Sequence, residues 1–319
     1  MPKVGVGIPT MNFFWTNQVL PDLIENTKYR FNLYLPDDET KETSRAELKR
    51  HEDIINEHIL KKTSAIDKLE ITYTDGSRLG ISHAWNRIVL GALADDCDYI
   101  MILNNDVAFP NVKEGQRCWL EKMVDFMEKN PKVGWSGPMW LWCGSPVTED
   151  GFTKFKNSVE AYEKEHAGKI IDGGFACFMM LRADMVRDLM KKEKDKACIP
   201  NCGLPNEPHP GLFDRTNFLV NWEDVDYILR ARRYGWQTCV THDCTMAHMG
   251  SGTTGSEEWG GRISEDCKRS HVKFCTKFGL PHPDTIGGFR VSSCIYEFEK
   301  GGLTFRVDGA EMRKKLGEV

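Results

Sequence analysis

Tyr99-Ile100-Met101-Ile102-Leu103-Asn104-Asn105-Asp106 is the stretch that decides the fold. Its unbroken apolar run is short, and it predicts a strand covered on both faces, as in a parallel sheet clothed by helices. Two amides and a carboxylate follow at the strand's carboxyl end, where the ligand crevice of an open α/β sheet lies. Asp106 with Asn104 and Asn105 reads in two ways. It is a strand-ending turn that satisfies local backbone groups, or a hard-oxygen site for Mn2+ or Mg2+.

The same alternation extends to either side. Val4 to Ile8, Arg30 to Leu35 and Leu69 to Thr74 are further strand candidates. Helical spacing marks Thr43 to Lys62 and then Ile81, Ala84, Trp85, Ile88, Val89 and Ala92. A helix around Trp119 to Met127 and a strand around Val133 to Gly137 continue it. Strands alternating with helices predict an α/β domain, a mostly parallel central sheet flanked by helices. Pro9, Thr10, Asp37, Asp38 and Asp106 all fall just past strand ends. After Gly137 the pattern weakens. Trp140-Leu141-Trp142 and Thr148 to Lys169 read as a surface excursion or lid. Cys177 to Leu181 is a strand, Ala183 to Lys192 a helix, and the proline-rich Cys198 to Pro210 a loop. Gly250 to Gly261 reads as mobile, Ile263 to Phe278 as a last helix, and Val291 to Val307 as short strands or an arm.

The chain of 319 residues has a formal net charge of −5, which gives no global attraction to nucleic acid. Forty per cent apolar residues suffice for a sizeable core, and no apolar run reaches the length of a membrane span. The amino terminus enters a strand pattern directly, so no signal peptide is expected. The odd count of 11 cysteines, without a repeating frame, reads as reduced thiols, and a cytoplasmic location is expected (host cytoplasm if the source is viral). Cys198, Cys202 and His209 have zinc-ligand chemistry but fit no structural zinc spacing well.

A second acidic cluster, Asn221-Trp222-Glu223-Asp224-Val225-Asp226, opens an amphipathic run ending at Tyr234-Gly235. Asn221 is a good N-cap, and carboxylates in a first turn complement the helix dipole, so capping accounts for the pattern. A base held rigidly on a helix start accounts for it equally. His248 reads as a core histidine or as a metal ligand. Gly5-x-Gly7 lacks the third glycine of a dinucleotide loop, and Pro9 stands where a helix should open. No Walker lysine loop and no G-x-S-x-G elbow is present.

Together these pieces resemble glycosyltransferase family two, the inverting enzymes of the GT-A (nucleotide-diphospho-sugar transferase) fold. Val6 to Asn12 is similar to the opening strand with its I-P-T-x-N signature. Leu35-Pro36-Asp37-Asp38-Glu39-Thr40 stands at the family's V-D-D-G-S nucleotide loop, and Leu79 to Arg87 at its L-G-x-x-x-A-x-N-R helix start. Asn104-Asn105-Asp106-Val107 resembles the D-x-D metal motif in an N-N-D form. Asn130 to Gly134 and Gly211 to Asp214 are further landmarks. Trp222 through Gly235 resembles the E-D-x-D helix, and His248 its trailing metal histidine.

The resemblance implies a metal-dependent glycosyltransferase (hexosyl- or pentosyltransferase) that uses a UDP- or dTDP-sugar donor with Mn2+ or Mg2+. Asp224 would be the general base, with Glu223 beside it in the catalytic cluster. Pro9, Thr10, Asp37, Asp38, Arg78, Asn104, Asn105 and Asp106 would line the donor site, and Asp106 and His248 would hold the metal. The acceptor stays open: a glycan, a small molecule, or a hydroxymethylated pyrimidine in phage-type DNA. Trp140, Trp142 and Trp259 could stack on a base or a sugar ring. A non-catalytic nucleotide-sugar binding protein is the reading from another class. A nucleotidyltransferase would want a glycine-rich basic loop near the amino terminus, and none is present. Residues 1–250 are expected to form the catalytic domain, with a nucleotide-sugar half at about 1–110 and an acceptor half at about 111–250. Residues 251–319 would pack on it as loop, helix and arm. Two departures stand out: Asn104 replaces the first Asp of D-x-D, and the nucleotide loop lacks its glycine. The Cys198 to Pro210 loop is also long for the family.

Overall fold

The computed structural model describes residues 1–10, 13–38, 42–74, 79–142, 149–172, 177–193, 211–248, 260–278, 295–299 and 302–306. The first half alternates β1 (Val4–Gly7), α1 (Phe13–Asn26), β2 (Phe31–Asp37), α2 (Glu42–Lys61), β3 (Ile66–Tyr73), α3 (Ile81–Ala94) and β4 (Tyr99–Leu103). Then come β5 (Val107–Ala108), α4 (Trp119–Lys129), β6 (Val133–Trp142), α5 (Glu149–His166), β7 (Ile170–Asp172), β8 (Phe178–Arg182) and α6 (Ala183–Glu193). The last elements are α7 (Glu223–Arg233), β9 (Gln237–His248), α8 (Gly260–Phe278) and a separate hairpin, β10 (Ile295–Glu299) with β11 (Gly302–Arg306).

One sheet runs in the order β3-β2-β1-β4-β8-β6-β9-β5, with β7 also paired to β9. β1, β2, β3, β4, β6 and β9 run one way, while β5, β7 and β8 run the other. The chain steps from β1 outward to β2 and β3, then returns to the other side of β1 as β4. That reversal opens a crevice beyond the carboxyl ends of β1 and β4. β4 is covered on both faces, as its apolar run predicts. Tyr99, Met101 and Leu103 join one core cluster, and Ile100 and Ile102 the other.

Gly5 and Gly7 serve packing. A Cβ at Gly5 would come 2.8 Å from Ala92 Cβ, and one at Gly7 2.2 Å from Ile88 Cγ2. The glycines let α3 lie against β1, which accounts for the spacing without a dinucleotide. Arg182 ties the 130–134 landmark into the fold: it donates to the carbonyls of Val133, Met127 and Asn130 at 3.0, 2.6 and 3.2 Å.

Several expectations are corrected. Helix α1 was not anticipated, because Pro21 within it and the aromatic start Phe13-Phe14-Trp15 mask helical spacing. Residues 140–142 are not irregular but complete β6, which follows β9 to the pair Trp142↔His248. The polar stretch read as a lid, Thr148 to Lys169, contains α5, which packs on β9 and is followed by β7. The side chains of Trp140 and Trp142 lie outside the described residues, as do Trp259, Arg78, Met11, Asn12, Glu39, Thr40, Cys198, Cys202, His209 and the 250–259 stretch. Among the described residues, no helix is long and apolar enough to cross a membrane.

Gly7→Ala should destabilise the protein by about 1–3 kcal/mol, since the buried, branched Ile88 has little room to yield. Urea unfolding checks this. A midpoint equal to wild type would mean that β1 and α3 can separate without cost.

Candidate active site

Two groups of side chains meet the crevice. At its β1–β2 edge, Thr10 extends β1 by a parallel bridge to Asp37. The Thr10 hydroxyl donates to Asp37 Oδ1 at 3.2 Å and lies 3.1 Å from the Pro36 carbonyl. Asp37 is almost fully buried and forms an ion pair with Arg45 Nε at 3.5 Å. Asp38 is only half-buried; it accepts from the Thr74 hydroxyl at 3.0 Å and from the Leu79 amide at 3.2 Å. Pro9 is buried between these strand ends.

At the centre, β5 pairs Val107 with His248, the last residue of β9. His248 Nε2 lies 3.0 Å from Asp106 Oδ1, with the imidazole edge-on to Phe178. Asn104 and Asn105 are half-buried, and the Asn104 amide donates to the Cys177 carbonyl at 3.0 Å. Burial raises the Cys177 thiol pKa, and the carboxylates of Asp106 and Asp224 raise it further. Both carboxylates thus act electrostatically on one small buried side chain.

Helix α7 starts without a side-chain cap. Its N-cap residue is Trp222, not Asn221, and both have left-handed backbone, with φ of 73° and 64°. Asn221 instead donates to Cys267 Sγ at 2.9 Å. With no capping side chain, the first-turn amides of Asp224 and Val225 favour the ionised form of the Asp224 carboxylate. Burial raises the Asp224 pKa, and those two donors oppose the rise. Glu223 is pushed well above the usual carboxylate range, chiefly by burial and then by the charge of Asp224. Asp226 is structural. It accepts from Arg230 Nε at 2.8 Å and pairs with Lys277 Nζ at 2.6 Å. Arg230 also binds Glu193 Oε2 at 2.9 Å and the Leu212 carbonyl at 2.7 Å.

The 79–87 helix start has a defined task, which is to hold the segment leading into α7. Asn86 exchanges two hydrogen bonds of 2.9 Å with the Phe213 backbone, and the Ser82 hydroxyl donates to the Phe218 carbonyl at 2.8 Å. Gly80 has a φ of 85°, and a Cβ there would meet the Leu219 carbonyl oxygen at 2.8 Å. Arg215 Nη1 donates to His83 Nδ1 at 3.0 Å across the same contact.

Asp106 and His248 supply an oxygen and a nitrogen donor on converging strand ends. Among the described residues, no three His, Cys, Asp or Glu side chains gather as a closed metal cage. Two donors suit a cation that takes its remaining ligands from substrate phosphates and water. The pair therefore fits a divalent ion bound together with a diphosphate.

No family model and no curated protein sequence matches this chain. Solved structures do share its fold. A mannosyltransferase from Pyrobaculum calidifontis, in complex with GDP-Man and Mn2+, is 15% identical with a TM-score of 0.55, over 88% of this chain and 66% of that one. S. aureus TarS is 12% identical with a TM-score of 0.52, over 86% of this chain and 39% of that one. GalNAc-T7, solved with UDP, GalNAc and Mn2+, is 12% identical with a TM-score of 0.52, over 89% and 52% respectively. The chain spans less than two thirds of each of these proteins. At such identities the likeness establishes the fold, and the chain has the GT-A fold.

Arg45, Cys177 and Lys277 escaped the sequence reading. No spacing signals them, because each reaches the site from a distant segment. Arg230 was legible in principle, standing four residues after Asp226 on one helix face.

The raised Glu223 pKa has a thermodynamic consequence. A group that binds its proton more tightly in the folded state loses stability as pH rises through the folded pKa. Glu223→Gln removes that loss. The stability of the variant relative to wild type should therefore rise as pH climbs above the ordinary carboxylate range. Urea midpoints of both proteins measure it, and an advantage that stays flat or shrinks would sink the assignment.

Proposed function

We propose that the chain is a metal-dependent inverting glycosyltransferase of the family-two kind, moving a sugar from a nucleoside diphosphate sugar to an acceptor hydroxyl. What carries this reading is the Asp106–His248 pair, an oxygen and a nitrogen donor 3.0 Å apart where β9 meets β5, taken with the Asp224 carboxylate in the first turn of α7. A diphosphate beside the first and a hydroxyl beside the second would leave the anomeric carbon between them. The solved relatives of this fold that carry GDP-Man, or UDP with GalNAc, together with Mn2+, support the choice of donor class and metal.

Within this reading Asp224 takes the acceptor proton as the hydroxyl oxygen attacks the anomeric carbon. The bond to the diphosphate breaks on the opposite face, its electron pair leaving on the phosphate oxygen, and the stereocentre inverts. Burial raises the proton affinity of Asp224, which suits a base working near neutral pH. Glu223, still more strongly disposed to keep its proton, is assigned as a neutral hydrogen-bonding neighbour. Asp106 and His248 would hold Mn2+ or Mg2+, which when bound neutralises charge on the leaving diphosphate. Thr10, Asp38, Asn104 and Asn105 line the donor side. Asp38 is the better candidate for nucleoside contact, since it is half-exposed whereas Asp37 is almost fully buried. Pro9 shapes the strand end, and Arg78 stays assigned to this pocket by resemblance.

We assign residues 1–250 to the catalytic domain, with α8 packed on it through α7. The donor is taken to be a UDP- or dTDP-sugar, with GDP-sugars added to the test. Acceptor classes are a glycan or small molecule first and hydroxymethylated DNA second. Incubation with Mn2+ and a panel of sugar nucleotides, with and without each acceptor class, decides the matter by nucleotide release. No release from any donor, even by slow hydrolysis, would favour a binding protein instead.

Asp224→Asn should lower turnover about 10²–10⁴-fold. Nucleotide affinity in the presence of Mn2+, measured by calorimetry, should stay within about twofold of wild type, because the lost interaction forms only in the transition state. Near wild-type turnover would remove Asp224 from the role of base.

A further inference from the structure

Helix α8 lies against the strained entry to α7, and several of its side chains meet residues 214–226. Lys277 Nζ bridges two acidic residues, Asp214 Oδ2 at 2.7 Å and the fully buried Asp226 Oδ1 at 2.6 Å. Lys273 Nζ donates to the Thr216 carbonyl at 3.2 Å. The indole of Trp222 is stacked on His271 at 4.3 Å between ring centroids and packs on Phe274 at 4.4 Å. Phe274 also touches Phe218, over whose ring the Lys277 ammonium sits at 5.5 Å. Asn221 completes the contact through its hydrogen bond to Cys267.

These contacts meet a specific need. Two consecutive non-glycine residues, Asn221 and Trp222, have left-handed backbone immediately before Glu223 and Asp224. Each such residue costs on the order of 1–3 kcal/mol and persists only where its surroundings over-determine it. No side chain caps α7, so the helix itself does not hold the conformation. The two strained residues are gripped by α8, one through Cys267 and the other through His271 and Phe274.

We propose that α8 is the positioning element for Asp224, with Lys277 and the His271–Trp222 stack as its two anchors. The proposal rests on the reading of Asp224 as the base. Lys277 acts through Asp214 and Asp226, which bracket the strained pair in sequence, and His271 acts through Trp222. Around this point the charged neighbours are Glu193 from α6, Arg230 and Glu223 from α7, Asp214 and Arg215 from the preceding segment, and Asp266, Arg269 and Lys273 from α8. Lys277 joins the segment before the strain to the helix after it, as Arg230 does through the Leu212 carbonyl.

Lys277→Met, Lys277→Arg and His271→Ala in the full chain test this by two independent readouts. Amide exchange over residues 214–226 should quicken at least about tenfold in Lys277→Met and His271→Ala, with β4 and β1 unchanged. Turnover should fall about 10–100-fold while affinity for nucleoside diphosphate with Mn2+ stays within about twofold, as expected of a misplaced group. Lys277→Arg, keeping the charge and reach, should recover most of both. Unchanged exchange over 214–226 would overturn the proposal. So would a joint loss of turnover and nucleotide affinity that Lys277→Arg fails to rescue. Were the wild-type protein to release no nucleotide from any donor, the glycosyltransferase reading would fall by that result alone. The exchange readout would then still decide whether α8 orders the α7 entry.

Discussion

Burial of acidic side chains at the head of α7 is the constraint around which the second half of the molecule is arranged. Asp226 is fully buried and Glu223 nearly so. An ionised carboxylate out of water costs several kcal/mol unless it is paired and hydrogen-bonded. The chain answers with two cations and one proton. Arg230 neutralises Asp226 and Glu193, Lys277 neutralises Asp226 and Asp214, and Glu223 is left disposed to stay protonated. Removing one partner from such a buried set typically costs about 3–5 kcal/mol, because the other charge is stranded. Arg230 also holds the Leu212 carbonyl, so this electrostatic solution fixes the approach segment, α6 and α7 together.

The first half depends on a different economy of space. Gly5 and Gly7 let α3 close on β1, and Asn86 and Ser82 on α3 then reach the 212–219 backbone. The amide pair at Asn86 satisfies a buried donor and acceptor at once, where leaving either unmet costs about 1–3 kcal/mol. Strand β1 and the segment leading into α7 are thereby referred to one helix. Between them β8, running against its neighbours, follows Cys177, whose carbonyl accepts from the Asn104 amide at the end of β4.

What could be read from the sequence follows from how local its causes are. The apolar run of Tyr99 to Leu103 specifies its strand, and both faces are indeed covered. Asp106 and His248 were legible as candidates because each ends a strand pattern, although their pairing at 3.0 Å depends on β5 meeting β9 across 142 residues. Helix α1 was hidden by Pro21, whose missing amide argues against a helix until tertiary packing overrides it. Asn221 misled for the opposite reason. Its local preference for capping is real, but Cys267 claims its side chain. The 138–142 extension of β6 and the α5–β7 excursion carry no clean period, since their pairing is with distant β9.

The absence of a capping side chain on α7 is itself informative about the proposed base. A Ser, Thr or Asp at the N-cap would occupy the first-turn amides. With Trp222 there in left-handed geometry, those amides turn to Asp224. Two opposed effects then act on one carboxylate. Burial raises its proton affinity, while the amides and the positive end of the helix dipole lower it. Burial prevails, and the helix donors limit the rise. Glu223, one residue earlier, lacks the Val225 amide and carries the charge of Asp224 besides. On the proposed reading, a division of labour between the two adjacent acids would follow from the left-handed backbone at Asn221 and Trp222, the pair that α8 contacts.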